Sequence, residues 1–234
     1  MPKRKTQLIN GEFYHIVKRG IEERKIFLDD EDCFRFINGL LVFNDKMPTP
    51  WKSRAFWYQR DPASLAKGDY HSKIPLVEVH AFSLMPNHFH LLVCQLVENG
   101  ISILIQKLGG YSYYFNKKYE RVGTLYQNRY KIIRIEGEEQ LKNTFVYVHT
   151  NPVALVEPEW KNWEVKNPQE AINFLENIYK WTSYWDFLGN KNFPAVTKRE
   201  FFLKLFEGEE NIKKEVNSWI QFKSTRPGLV DNLE

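Results

Sequence analysis

PLVEVHAFSLMPNHFHLLVCQL, residues 75–96, decides how this chain is read. Two apolar runs of strand length flank Met85, Pro86 and Asn87, so Leu76 to Leu84 and His88 to Leu96 are expected as the arms of a hairpin. The second arm carries His88 and His90 beside Leu91, Leu92 and Val93, which belong in a sheet core. Side chains at i and i+2 of a strand share a face. The spacing therefore sets two imidazoles side by side, with Phe89 turned into the core. That is a metal-ligand geometry, or a coincidence that the rest of the chain must settle.

Towards the N-terminus, GEFYHIVKRG (residues 11–20) alternates apolar and polar residues and ends in glycine, which predicts a strand from Glu12 to Lys18. DDEDCFRFINGLLVF (residues 29–43) follows, with acids in its first turn and Cys33, Phe34, Ile37, Leu40 and Leu41 at helical spacing. Residues 44–75 break the pattern: Pro48, Pro50, Pro62 and Pro75 are scattered among Trp51, Phe56, Trp57 and Tyr58, as in a long loop or insertion. Beyond the hairpin, Gly100 precedes a helical stripe of Ile101, Leu104, Ile105, Leu108, Ser112, Phe115 and Tyr119, which the pair Gly109-Gly110 weakens. GTLYQNRYKIIRI (residues 123–135) is expected as a fourth strand, and EGEEQLKNTFVYVHTNP (residues 136–152) as a helix stopped near Pro152.

The order is β-α-β-β-α-β followed by a helix. It predicts an α+β, ferredoxin-like (split βαβ) antiparallel sheet with helices on one face, plus an extra helix. In TKRE, Thr197 and Glu200 fit a capping box opening the first of two C-terminal helices, over 197–207 and 209–222. The expected organisation is a main domain over residues 1–190, with the 44–75 insertion, and a C-terminal helical extension over 191–234.

Composition sets the outer limits. With 43% hydrophobic and 26% charged residues in a chain of 234, the protein is globular rather than disordered and can bury a real core. No apolar run approaches membrane-spanning length, and MPKRKTQLINGEF lacks the apolar core of a signal peptide. Cys33 and Cys94 form no CxxC pair and read as reduced, buried thiols of an intracellular protein. Charge is segregated. Residues 101–134 hold seven basic side chains against Glu120, whereas residues 135–178 hold three lysines against eight glutamates. The basic stretch invites phosphate, or else is a solvated helix face.

Two imidazoles make an incomplete metal site, so further ligands are sought elsewhere. On the helix after strand four, Leu141, Phe145 and Val148 form the core stripe. Tyr147 and Asn151, four residues apart, share a neighbouring stripe that a helix packed on the sheet could aim at the histidines. Two imidazoles and an amide oxygen make a mixed N/O site suited to Mn²⁺ or Mg²⁺. A phenol with a pKa of about 10 is a weak nucleophile, but it becomes useful where a metal polarises a phosphoryl group. Attack on a DNA phosphodiester retains the ester energy in a phosphotyrosyl bond, so no nucleotide cofactor is needed. Periodicity alone leaves Tyr147 as a packing residue, and Asn151 could equally cap the helix C-terminus.

YHIVKRG…IFLDDED, MPNHFHLLV, GTLYQNRYK and YVHTNPV, in this order and spacing, resemble the REP-associated tyrosine transposases, of the single-tyrosine HUH (insertion-sequence type) transposase superfamily. The matching blocks run from about Tyr14 to Val153, with an echo at WTSYWDFLG (residues 181–189). The resemblance implies that His88 and His90 are metal ligands, that Asn151 takes the third ligand position and that Tyr147 is the nucleophile. It implies a metal-dependent endonuclease and transesterase that cuts and rejoins single-stranded, hairpin-forming DNA through a 5′-phosphotyrosine. The expected setting is a prokaryotic cytoplasm at the nucleoid, with no membrane, and relatives form dimers through the sheet. The alternative is a domesticated, non-catalytic binder of palindromic DNA repeats; a third is a phosphodiesterase that uses water. The chain departs from the common pattern in the 44–75 insertion, in the stretch 157–178, and in Tyr126, where tryptophan is frequent.

Residues expected on the DNA surface are Arg19 at the end of strand one, Lys117, Lys118 and Arg121, and Gln127, Arg129 and Lys131 alternating along strand four. Trp51, Trp57 and Tyr58 with Lys52, Arg54 and Arg60 form either a clasp for single-stranded DNA or a satellite core. Tyr111, Tyr113, Tyr114 and Tyr119 are read as packing residues or base-stacking partners. His15 and His80 are expected as core or sheet-face histidines. His149 falls on the flank of its helix away from Asn151, without a catalytic role but with a DNA contact left open.

Overall fold

The hairpin forms as β2 (Val77–Met85) and β3 (His88–Gln95), joined at Pro86 and Asn87. The structure is a computed structural model that describes residues 7–47, 74–162 and 164–225. Most of the 44–75 insertion, including Trp51, Lys52, Arg54, Trp57, Tyr58, Arg60 and His71, lies outside the described residues.

With β1 (Phe13–Arg19) and β4 (Lys131–Arg134), the hairpin makes a four-stranded sheet in the order β2-β3-β1-β4, every neighbouring pair antiparallel. This is the strand order of a split βαβ fold. Pairing of Arg19 with His88, Val17 with His90 and His15 with Leu92 sorts the residues onto two faces.

Tyr14, Ile16, Phe89, Leu91 and Val93 point to one face. There they pack with α1 (Asp30–Val42), α2 (Gly100–Leu108) and α3 (Tyr111–Lys118). Helix α1 starts where Asp29 accepts a bond from Asp32 N at 3.0 Å, while Asp32 accepts one from Leu28 N at 2.8 Å, so two helix-start donors are satisfied reciprocally. The expected long helix is two, parted at Gly109 and Gly110.

On the other face, Ala81 and Leu92 meet α4 (Glu138–Thr150) through Leu141, Phe145 and Val148, the stripe expected from periodicity. Four further helices complete this layer: α5 (Pro168–Asn173), α6 (Tyr184–Phe187), α7 (Glu200–Leu205) and α8 (Glu209–Thr225). Phe202, Phe206, Ile212, Val216 and Ile220 of α7 and α8 join the same apolar cluster as Phe145. Helix α4 is thus sandwiched between the sheet and α8. No described helix is long and apolar enough to cross a membrane, and both cysteines are free and buried.

Two expectations are corrected. Strand four does not extend over residues 123–135: β4 holds Lys131–Arg134, and Tyr126 makes only an isolated bridge to Gly20. Pairing stops at Val17 and Lys131 although β1 runs on to Arg19, and the next bridge, Gly20 to Tyr126, is two residues out of that register, so residues 127–130 bulge out between the two. Nor does Thr197 cap a helix. Helix α7 begins after Arg199 without a side-chain cap, because Lys198 N is held by Val79 O at 2.8 Å and keeps the preceding chain on the sheet.

Candidate active site

The site face is built by register. His88 and His90 on β3, and Arg19, Val17 and His15 on β1, project from the same side of the sheet, with Lys131 paired to Val17 from β4. The end of this face is fastened by backbone bonds from Gly20 N to Asn87 O (2.8 Å), Ile26 N to Pro86 O (2.7 Å) and Gln127 N to Arg19 O (2.9 Å).

Helix α4 crosses β2 and β3 and delivers Tyr147 to this face. The Tyr147 ring stands edge-on to His90 (centroids 5.7 Å apart, 78° between planes) and to His15 (5.6 Å, 82°). His88 and His90 lie 4.9 Å apart, centroid to centroid. All four rings are buried, none more than 5% exposed. Sequence spacing, strand register and helix packing therefore converge: His88, His90 and Tyr147 are buried together on one sheet face.

Both imidazoles are oriented by neighbours. His88 Nδ1 lies 2.6 Å from Asn87 Oδ1, and His90 Nδ1 lies 2.9 Å from His15 Nε2. The Nε2 atoms of His88 and His90 are buried. A carbonyl oxygen only accepts, so this contact is a hydrogen bond when the His88 proton is on Nδ1. Metal-bound histidines are held in this way, by a partner on the ring nitrogen away from the metal.

Asn151 follows Tyr147 by one turn, and its amide nitrogen donates to Tyr147 O at 2.9 Å. The side chain thus caps the helix end through its amide nitrogen. Among the described residues, no group of three or more His, Cys, Asp or Glu side chains could hold a metal ion. A cation at the histidine pair would need a neutral third ligand, and an amide oxygen beside two imidazoles fits a divalent ion that accepts mixed N/O donors.

His15 is the residue whose role sequence reading missed: it was expected as a core or sheet-face histidine, and the structure sets it on the sheet face against His90. The signal lay in its parity. Once β1 runs antiparallel beside β3 with Val17 opposite His90, residue 15 is the diagonal neighbour of His90 on the same face.

The expected DNA residues divide. Arg19 sits directly opposite His88, and Lys131 is exposed on the site face. Gln127 and Arg129 are exposed but lie in the loop before β4. Lys117, Lys118 and Arg121 lie on or just after α3, on the other side of the sheet. Lys118 is engaged by Asp29 (2.8 Å), Glu31 (2.9 Å) and Asp32 (3.1 Å), which outweigh its partial burial and raise its pKa. Arg121 bonds Asn116 at 2.8 Å. Tyr111, Tyr114 and Tyr119 are committed to packing and hydrogen bonds around α1, whereas Tyr113 is exposed. His149 is fully buried, bonded to Ser183 Oγ at 2.8 Å, and is closed to DNA. His80 is buried, with Nδ1 3.1 Å from Lys198 O.

Fold and site together define an α+β protein whose sheet carries a buried His-x-His pair faced by a helix-borne tyrosine. Residues 70–151 match the family model described as "Transposase IS200 like". That span holds His88, His90, Tyr147 and Asn151, and excludes His15 and Arg19. The chain is also similar to a solved structure described as "Structure of the REP associates tyrosine transposase bound to a REP hairpin", at 12% identity and a TM-score of 0.48, over 86% of this chain and 96% of that one. No curated protein matches the sequence.

Proposed function

We propose that the protein is a metal-dependent endonuclease and transesterase that cuts and rejoins single-stranded, hairpin-forming DNA through a 5′-phosphotyrosine. The observation that carries this reading is the burial of His88, His90 and Tyr147 against one another on one sheet face. A protein that only grips DNA has no use for a buried phenol packed edge-on against a histidine pair.

His88, His90 and Asn151 would hold a divalent cation, Mg²⁺ or Mn²⁺, whose charge polarises the scissile phosphate. The Tyr147 oxygen bonds to phosphorus and gives its proton to solvent, from which the departing 3′ oxygen takes one. The bond from phosphorus to the 3′ oxygen breaks, and that oxygen leaves as a 3′-OH. Attack of a 3′-OH on the phosphotyrosine reverses the step and restores the phenol. Arg19, opposite His88, supplies fixed positive charge to a phosphate oxygen next to the reacting one. Lys131, Arg129 and Gln127 continue this surface along the DNA strand. Such a substrate places the protein at the nucleoid of a prokaryotic cytoplasm, and a homodimer through the sheet is the assembly the family resemblance suggests.

The test uses labelled single-stranded oligonucleotides copied from palindromes flanking the gene, with Mn²⁺ or Mg²⁺, resolved on a denaturing gel. Wild type should form a covalent protein–DNA adduct that Tyr147→Phe and His88→Ala both lose. Cleavage that persists without adduct in Tyr147→Phe would mean a hydrolase using water. Tight binding without cleavage in either metal would mean a non-catalytic binder of palindromic DNA.

A further inference from the structure

We propose that His15 and Asn87 are positioning residues, holding His90 and His88 respectively in the one tautomer that can ligate through Nε2. The proposal rests on the cation-site reading of the histidine pair and adds what makes that pair competent. A neutral imidazole has one N–H and one lone pair, and only the lone pair binds a cation. Left to itself in water, a histidine side chain favours the proton on Nε2, which is the wrong nitrogen here. Something must hold the proton on Nδ1 in both rings.

Each ring has its own device. Asn87, in the hairpin turn, offers a carbonyl oxygen 2.6 Å from His88 Nδ1. For His90 the partner is another imidazole. His15 Nε2 lies 2.9 Å from His90 Nδ1, with ring planes only 14° apart and centroids 5.2 Å apart. Nitrogens this close with centroids this far apart require the rings to meet head-on in a shared plane, which is the geometry of an N–H···N bond and not of stacking. His15 is 1% exposed and His90 is fully buried, so water does not compete for either nitrogen. A leucine or phenylalanine at position 15 would fill the space without the cost of burying a second imidazole. Ligation through His90 Nε2 requires His90 to be the donor, leaving His15 with its own proton on Nδ1. Both devices come from segments next to the ligands in the sheet, β1 and the β2–β3 turn, so the same register that assembles the site also sets its protons.

The experiment reads tautomers directly, by long-range ¹H–¹⁵N NMR of ¹⁵N-labelled metal-free protein at neutral pH, together with Mn²⁺ titration followed by electron paramagnetic resonance. Wild type is expected to show Nδ1–H for both His88 and His90. His15→Leu should move His90 to Nε2–H and weaken Mn²⁺ binding about 10- to 100-fold. His15→Gln, whose amide oxygen can accept the same bond, should retain most of both, and Asn87→Ala should move His88 alone. A wild-type His90 protonated on Nε2, or a His15→Leu protein with His90 tautomer and affinity unchanged, overturns the proposal. The wild-type spectrum needs no variant to fold. Expected tautomers in a wild type that takes up no Mn²⁺ would instead sink the cation-site reading and leave the tautomer assignment standing.

Discussion

Tyr147 and His149 sit two residues apart on α4 and meet opposite surroundings. Tyr147 faces the histidine pair, while His149 is enclosed by Phe145, Tyr184 and Phe187. Burial pushes the His149 pKa down from 6.5 to about 3. The unfolded chain takes up this proton below about pH 6.5 and the folded chain refuses it until about pH 3. The contribution of a neutral His149 is therefore complete above pH 6.5 and is lost as the pH falls towards 3. Asp186 works in the other direction. Burial raises it from 3.8 to about 6, so its contribution is complete below pH 3.8 and lost as the pH rises to 6. Between pH 3.8 and 6 the two slopes oppose, and a stability profile of the wild type alone would hide both. Paired urea denaturation at pH 7 and pH 4.5 separates them: the advantage of wild type over His149→Gln should shrink at the lower pH. The His149 ring signals should not titrate between pH 8 and 4; a midpoint near 6 would refute the burial argument.

At the scale of elements, the site depends on how β1 ends. Gly20 has ordinary extended dihedrals, φ −61° and ψ 147°, so glycine is not needed there for its backbone freedom. It is needed for room: a Cβ would collide with Arg24 O and stand 2.9 Å from Ile26 Cγ2. Gly20→Ala should cost about 1–3 kcal/mol through overpacking, read as a lower urea midpoint at unchanged slope. It should also reduce adduct formation beyond the loss of folded protein, since Gly20 N ties Asn87, and hence His88, to β1. The end of α4 makes a related point. Val146, Tyr147, Val148, His149 and Thr150 are all buried, because the sheet covers one side and α8 the other. Over this last stretch, buried on every side, polarity no longer separates one side of the helix from another, which is why periodicity leaves Tyr147 looking like packing.

For the whole molecule, the basic stretch 101–134 does not make one surface. Lys118 neutralises the acids at the start of α1, including the fully buried Asp32, while Arg129 and Lys131 stand exposed before and on β4. Lys118→Met should therefore cost about 1–3 kcal/mol of stability by removing the cation that pairs with the buried Asp32, and leave the salt dependence of single-stranded DNA binding unchanged. Arg129→Met or Lys131→Met should do the reverse, flattening the slope of log affinity against log salt by about 0.7 per charge. A drop in slope for Lys118→Met would put α3 on the DNA path after all. The C-terminal helices are structural. Phe202, Phe206, Ile212, Val216 and Ile220 close the face that holds α4. At roughly 1.5–3 kcal/mol for each buried side chain, their loss rivals the entire stability of a domain, about 5–15 kcal/mol. A chain ending at residue 190 should show no cooperative thermal transition by circular dichroism.

Local pattern determined the order of the elements, the hairpin, and the shared face of His88 and His90, whereas Tyr147 was singled out by the resemblance of its motif to a family and not by periodicity. The first three rest on periods of two and 3.6 and on a turn at Pro86-Asn87, which are set by neighbours in the chain. Tertiary structure alone decided the rest, because each remaining feature depends on what lies across a strand or beneath a helix. The length of β4 was decided by a two-residue slip in its register against β1. The ion cluster that takes up Lys118 was decided by α3 packing on α1. The pairing of His15 with His90, 75 residues apart, was decided by antiparallel register. A histidine in a strand is written the same way whether it fills a core or orients a neighbour, and only the residue diagonal to it on the next strand tells the two apart.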